Sequence, residues 1–310
     1  MLTVVILTAN EEQHLARAIG SVRDIADRVV VVDSGSADKT REIARSLGAV
    51  VHENKWVNYA TQFNWALDQL ADDTEWVLRL DADEFVTPAL ATEIRQALGG
   101  LTEDVEGVYV SRRMNFLQKP VRHGGVFPIR VLRLFRFGKG RCEDRWMDEH
   151  IKVDGETADF KGDIIDDNLN PLTWWTDKHN SYASREVIDL LNLEYHFMPH
   201  DTVASLQGGQ QVGVKRFLKE KVYARLPAGM RAFVYFFYRY VICLGFLDGR
   251  EATAFHVLQG FWYRFLVDTK LLEVKTYMRS HDVDVVTAID KVLFIKLKQT
   301  LDQSSNGGKP

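Results

Sequence analysis

The chain has 310 residues, is 46% hydrophobic and 26% charged, and carries a formal net charge of −4. That balance fits a soluble globular protein and excludes disordered, collagenous and disulfide-scaffold chains. Its two cysteines, Cys142 and Cys243, lie far apart, which excludes a disulfide framework and points to a reducing, cytoplasmic compartment.

The apolar run Leu2–Leu7 follows no basic region and meets Asn10-Glu11-Glu12 at once, so it reads as a buried parallel strand rather than a targeting signal. Strand Thr3–Leu7 leads to a helix with Leu15, Ile19 and Val22 on one face. Strand Val29–Val32 leads to a helix with Ile43, Ala44 and Leu47, closed by Gly48. Strand Ala49–His52, a helix over Thr61–Leu70 and strand Trp76–Leu80 follow. Strands alternating with helices across short links predict a parallel sheet covered on both faces. After residue 105, strand-like Gly107–Ser111 and Arg130–Phe137 are separated by Gly and Pro, which predicts an α+β extension packed against that first layer. Beyond Leu172 the pattern is helical, around Tyr182, Val187, Leu190 and Leu191 and again around Val214, Phe217, Leu218, Val222 and Leu226. The tail from Ser304 has a disordered composition.

Three polar clusters fall at predicted strand ends: Thr8-Ala-Asn10-Glu11, Asp33-Ser34-Gly35-Ser36 and Asp81-Ala82-Asp83. In an open doubly wound sheet the carboxyl ends of strands face one ligand crevice. A helix cap or a turn would explain any one cluster alone, but not three in step. Asp81 and Asp83, one residue apart, share a side of an extended chain and can jointly hold a hard divalent cation, Mg²⁺ or Mn²⁺, with substrate phosphates completing its shell. Such an ion implies a diphosphate leaving group. Asp33 can accept from a base N–H or a ribose hydroxyl. Neither Gly-x-Gly-x-x-Gly after the first strand nor a Gly-Lys-Ser/Thr loop is present, which disfavours a dinucleotide cofactor and a P-loop.

Taken in order, Thr8-Ala-Asn10-Glu11-Glu12, Val-Val-Asp33-Ser34-Gly35-Ser36-Ala-Asp38-Lys-Thr40 and Leu-Arg-Leu-Asp81-Ala-Asp83-Glu84-Phe resemble the opening of inverting family 2 glycosyltransferases of the GT-A fold. The chain is similar to the small bacterial members that add a sugar to lipopolysaccharide core or to lipid-linked repeat units. The resemblance implies a UDP-sugar donor, with Thr8, Asn10, Glu11, Asp33, Ser34 and Asp38 at the nucleotide and Asp81 and Asp83 at diphosphate and metal. It also implies a GT-A catalytic domain over 1–190, with a donor half to about 105 and an acceptor half beyond it. Asp177-Lys178-His179 resembles a family segment near the diphosphate, which makes Lys178 a candidate contact.

Inversion needs a base for the acceptor hydroxyl. Related chains carry it in a His-Glu pair that aligns with Asp148-Glu149, where this chain has Asp in place of His. The candidates rank Glu149, Asp148, Asp144, against the alternative of a charged surface turn.

Residues 112–145 sum to +8 and residues 215–239 to +6, leaving −18 elsewhere. No recognisable nucleic-acid motif interleaves aromatics with the first stretch, so a diphosphate is the simpler counterpart. The second adjoins residues 230–265, which hold 12 of the 34 aromatic residues. Phe233–Leu247 is only 15 residues long and contains Arg239, too short and too polar to span a bilayer. A basic amphipathic helix beside aromatic helices suits peripheral contact with the anionic inner face of the cell membrane, so 191–303 is expected to be a helical membrane-associating region. Packing of the aromatics in a helical core is the competing reading. The expected activity is inverting transfer of one sugar to a lipid-linked or core saccharide. The rivals are a sugar-phosphate nucleotidyltransferase, which should show an N-terminal Gly-rich phosphate loop, and a non-enzymatic polybasic membrane module, which leaves Asp81-Ala-Asp83 unexplained.

Overall fold

A computed structural model of the chain describes residues 1–143, 150–198 and 229–297. Two compact units are present: Met1–Asn170 with Gly245–Ala252, and Pro171–Leu244 with Thr253–Pro310. The division falls at Asn170, whereas the sequence placed it near residue 190, because a single helix runs through that position.

The first unit is built on a mixed nine-stranded sheet. Strand β1 (Leu2–Thr8) is flanked by β2 (Arg28–Asp33) and β4 (Trp76–Asp81), both parallel to it, and β3 (Val50–Glu53) lies outside β2. Helix α1 (Leu15–Val22) buries Leu15, Ala18, Ile19 and Val22, a stripe at helical spacing, against one face of the sheet. Helix α2 (Thr40–Ser46) ends before Gly48, whose positive φ of 82° supplies the left-handed stop. Helix α3 (Tyr59–Asp68), capped by the Asn58 side chain accepting from the Thr61 amide, covers the other face with Ala60, Phe63, Ala66 and Leu67.

Helix α4 (Pro88–Ala97) follows β5 (Glu84–Val86). The strands beyond it, β6 (Val105–Phe116) and β8 (Ile129–Arg136), do not form a separate layer as the sequence suggested. They continue the sheet in the order β4-β8-β6-β11-β5, with β7 (Lys119–Val121) on β6 and β11 being Glu156–Asp166. Four strand spacings separate β4 from β5 along that path, about 19 Å if flat. Only Ala82 and Asp83 join the two strands, a link of about 10 Å at most. The sheet must therefore curl, which brings the ends of β4, β5 and β11 together. A two-stranded ribbon, β9 (Arg141–Cys142) with β10 (Ile151–Lys152), completes this unit.

The described residues of the second unit are helical. Helix α5 (Leu172–Tyr195) buries Ala183, Val187, Ile188 and Leu191 against Tyr263, Val267 and Val274 of a helix over Tyr263–His281 and Ile289 of another over Val285–Leu293. Residues 230–242 form a helix continued by a π turn. Arg231 and Arg239, counted above as part of a basic face, turn inward. Arg231 pairs with Asp268, and Arg239, 4% exposed, donates to Gln259 Oε1 at 3.0 Å. Among the described residues no helix is long and apolar enough to cross a membrane. The amphipathic segment around Val214–Leu226 and the tail from Ser304 lie outside the described residues.

Candidate active site

Sheet order reverses direction between β1 and β4, so the crevice of this sheet opens outside the carboxyl ends of β2, β1 and β4. Register sets Thr8 beside Asp33 and Leu7 beside Asp81, which brings the three clusters to adjacent strand ends. On the β2 side, Asp33 is wholly buried. Its Oδ1 accepts from the amides of Gly35 (3.0 Å) and Ser36 (2.8 Å), and its Oδ2 accepts from the hydroxyls of Thr8 (2.9 Å) and Ser36. Gly35, at φ 94°, makes the turn that aims these amides. The Asp33 carboxylate thus orders the loop, with its acceptor positions taken by the protein.

The two donor-side loops are stitched together. The Asn10 amide donates to Ser36 Oγ (2.8 Å), its Oδ1 accepts from the Ala37 amide (2.8 Å), and the Glu11 amide donates to Thr40 Oγ1 (2.7 Å). Ser34 Oγ accepts from Gln62 Nε2 at 3.2 Å. Asp38 accepts from the Glu12 amide (3.1 Å) and from the Thr40 amide (3.0 Å) and hydroxyl. Burial alone would raise the Asp38 carboxyl, but those hydrogen bonds outweigh it and hold the group below the usual carboxylate range. The Glu11 carboxylate pairs with His14 Nδ1 at 2.6 Å, and His14 Nε2 accepts from the Leu169 amide at 2.9 Å. This histidine clamps the segment that follows β11 to the first loop.

On the β4 side the two aspartates part company. Asp81 accepts from the Tyr59 hydroxyl (2.6 Å) through Oδ1 and from Arg133 (3.0 Å) through Oδ2, with Arg79 at 3.7 Å. Burial would raise it, but Arg133 and Arg79 hold it well below the usual carboxylate range. Burial pushes Glu84 up to about 8, against the pull of Arg133, and pushes Asp166 up to about 7 with help from the Asp83 charge. Arg112 lies 4.0 Å from Glu84 and 3.9 Å from Asp166. Three arginines thus face Asp81, Glu84 and Asp166. Asp83 accepts from Asn168 Nδ2 (3.0 Å) through Oδ2 and, among the described residues, has no cation within 4 Å. It carries the uncompensated negative charge of the cluster.

Oxygen-only donors of this kind suit Mg²⁺ or Mn²⁺. Asp83, through Oδ1, is the open ligand, with Asp81 beside it. Among the described residues no three acidic, histidine or cysteine groups form a ready-made cage, so remaining positions fall to water and phosphate oxygens. Lys178 belongs to the second unit, where its ammonium lies 4.6 Å from the centre of the Trp174 ring. Asp144, Asp148 and Glu149 lie outside the described residues.

The glycosyl transferase family 2 model matches residues 3–147. A lipopolysaccharide core biosynthesis glycosyltransferase of Rhizobium meliloti is 34% identical over 192 residues, covering 59% of this chain and 69% of that protein. The chain belongs to glycosyltransferase family 2. An uncharacterized glycosyltransferase of Rickettsia typhi is 41% identical over 103 residues, 33% of this chain and 35% of its own, so the match spans about a third of that relative. Among solved structures, a glucosyl-3-phosphoglycerate synthase from Mycobacterium tuberculosis, crystallised with Mn²⁺, UDP and glucosyl-3-phosphoglycerate, aligns with a TM-score of 0.31 and 22% identity over 36% of this chain and 44% of that one.

Several residues of this family 2 site escaped the sequence. Arg133 is the main one: β8 shifts register against β6 between Val108↔Leu134 and Tyr109↔Leu132, so residue 133 is the extra residue of a bulge. Strict alternation cannot place it, although a lone Arg amid Val131, Leu132, Leu134 and Phe135 was a visible signal. Tyr59, Asp166 and Asn168 reach the cluster through tertiary pairing, whereas Arg79 lies two residues before Asp81 on β4 and shares its side of the strand. The basic stretch 112–145 is largely spent on internal partners: Arg113 on Asp163 (3.1 Å), Arg130 on Asp159, and Lys139 on Glu106 (3.0 Å). Arg136 donates to the Val105 carbonyl at 2.9 Å. Arg113, Arg130, Arg136 and Lys139 thus already have partners within the protein.

Proposed function

We propose that this family 2 chain transfers one sugar, with inversion, from a UDP-sugar to a lipid-linked or lipopolysaccharide-core saccharide at the cytoplasmic face of the membrane, using Mg²⁺ or Mn²⁺. The observation that carries the reading is Asp83, which among the described residues is the carboxylate of the β4 cluster without a cation within 4 Å, beside an Asp81 kept anionic by Arg133 and Arg79. When bound, the ion supplies charge stabilisation to the departing diphosphate. Asp81 and Asp83 would hold it, and the loops at Asn10–Glu12 and Asp33–Thr40 would seat the nucleotide. The sugar moves as the acceptor oxygen attacks the anomeric carbon, the bond to diphosphate breaks, and Glu149, ahead of Asp148 and Asp144, takes the hydroxyl proton.

Membrane association is supported by the helix over residues 230–242. Phe233, Val234, Phe237, Tyr238, Val241 and Ile242 recur at helical spacing and are each at least 40% exposed. The neighbouring lysines and arginines of residues 215–225 add positive charge in sequence.

The test is turnover of a panel of UDP-sugars by purified protein with Mn²⁺. Asp83→Ala should abolish it and Glu149→Gln should keep UDP binding while losing transfer. Full turnover in Asp83→Ala would remove the metal assignment.

A further inference from the structure

A second carboxylate of unusual placement lies on the segment that returns to the first unit from the C-terminal part of the chain. Asp248, its side chain 4% exposed, accepts from the amides of Arg122 (2.7 Å) and His123 (2.6 Å) through Oδ2 and pairs with His123 Nδ1 through Oδ1. Three hydrogen bonds join residues 125 or more positions apart, so the return segment is tied to one loop. Burial would raise the Asp248 carboxyl, but the His123 and Arg122 amides and the imidazole outweigh it and keep it ionised. An ionised carboxylate only accepts, so His123 Nδ1 is a donor here, and of the two neutral tautomers this pairing selects the one whose Nε2 keeps its lone pair. The His123 side chain is 42% exposed, and its Nε2 has no partner among the described residues.

The loop that presents this atom, residues 122–128, rises beside the acidic cluster. Its first end follows Val121, which pairs with Met114, which pairs with Asp166, which pairs with Glu84. Its other end, Ile129, pairs with Arg112, the arginine that faces Glu84 and Asp166. Gly124 and Gly125 both have positive φ, 78° and 69°, so the loop doubles back in a conformation that other residues resist. The donor loops stand at the ends of β1 and β2 and this loop at β6 and β8, so an acceptor that meets the donor across the acidic cluster would meet this loop.

We propose that His123 is an acceptor-binding residue whose Nε2 receives a hydroxyl hydrogen of the saccharide acceptor, and that Asp248 is its positioning residue, holding the ring in the tautomer that can accept. The inference rests on transfer to a saccharide, and the experiment separates the two. Deletion of the chromosomal copy and mass spectrometry of the envelope saccharides identify the truncated saccharide. Unaltered saccharides would overturn the transferase reading and this inference with it. If a sugar is missing, the truncated saccharide purified from that strain is the acceptor probe, with the nucleotide form of the missing sugar as donor.

His123→Ala should raise the KM for the acceptor about tenfold, as expected for one lost hydrogen bond between neutral groups, with the donor KM within twofold of the wild type. Asp248→Asn, which turns an N–H toward Nδ1, should move the ring proton to Nε2, visible in the ¹⁵N shifts of His123, and raise the acceptor KM to the same extent. His123→Gln, which restores an accepting oxygen near the Nε2 position, should recover part of the loss and serves if the alanine variant fails to fold. An acceptor KM within twofold of wild type in Asp248→Asn or in a folded His123→Ala, or a loss confined to kcat, would overturn the assignment.

Discussion

Arg133→Met removes the cation shared by two carboxylates. Arg133 is 4% exposed and donates to Asp81 at 3.0 Å and to Glu84, whose side chain is 1% exposed. Methionine fills much of the same volume but leaves Asp81 with Arg79, 3.7 Å away, as its cation among the described residues and Glu84 with Arg112, at 4.0 Å. Stranding one partner of a buried ion pair typically costs about 3–5 kcal/mol. The first unit has 178 residues (Met1–Asn170 and Gly245–Ala252), and for that size each kcal/mol moves the midpoint by roughly 2–4 °C. Calorimetry at pH 7 should therefore show the first unit's transition falling by roughly 6–20 °C. Asp81→Asn in the same chain removes the anionic carboxylate left stranded and should recover part of the loss, giving a coupling above about 0.5 kcal/mol. A midpoint within 2 °C of wild type for Arg133→Met, or strict additivity of the two substitutions, would show that the guanidinium does not compensate these carboxylates.

Asp38→Ala should cost about 1 kcal/mol at pH 7, the usual worth of a side chain that accepts at a helix start. The folded carboxyl titrates below its unfolded value of 3.8, so this stability is present above that value and is lost as pH falls through the lower folded one. Urea denaturation of the two proteins should converge in strong acid, and a gap that persists there would contradict the hydrogen-bond origin. Gly162→Ala would set a Cβ 2.4 Å from the Leu90 Cα. Backbone must move, at about 1–3 kcal/mol, and an unchanged midpoint would mean that β11 and α4 are not packed as described. Phe233→Ser with Phe237→Ser should cut flotation with phosphatidylglycerol vesicles at least tenfold, as the burial energy of two aromatic rings implies. Equal flotation would remove this stripe as the membrane contact.

What local pattern encodes and what it cannot are visible residue by residue. Runs of β-branched residues that stop at Thr8, Asp33 and Asp81 announced three strand ends, since period, length and the polar break are all local. Parallel pairing then had to bring those ends together, and it does. The charges were another matter. Counted along the chain, residues 112–145 are strongly basic, yet Arg112, Arg113, Arg130 and Arg133 meet Asp166, Asp163, Asp159 and Asp81 from other strands. Arg231 and Arg239 likewise face the interior of their unit. A linear count cannot subtract partners supplied by a curled sheet, and alternation fails at the one bulge that aims Arg133 inward. Asp81 and Asp83 are equivalent in sequence, one residue apart on one strand end. They become distinct only after folding assigns Tyr59 and Arg133 to the first and an amide to the second. The open charge at Asp83 is therefore a property of the tertiary pairing, and the division of labour between the two aspartates follows from it.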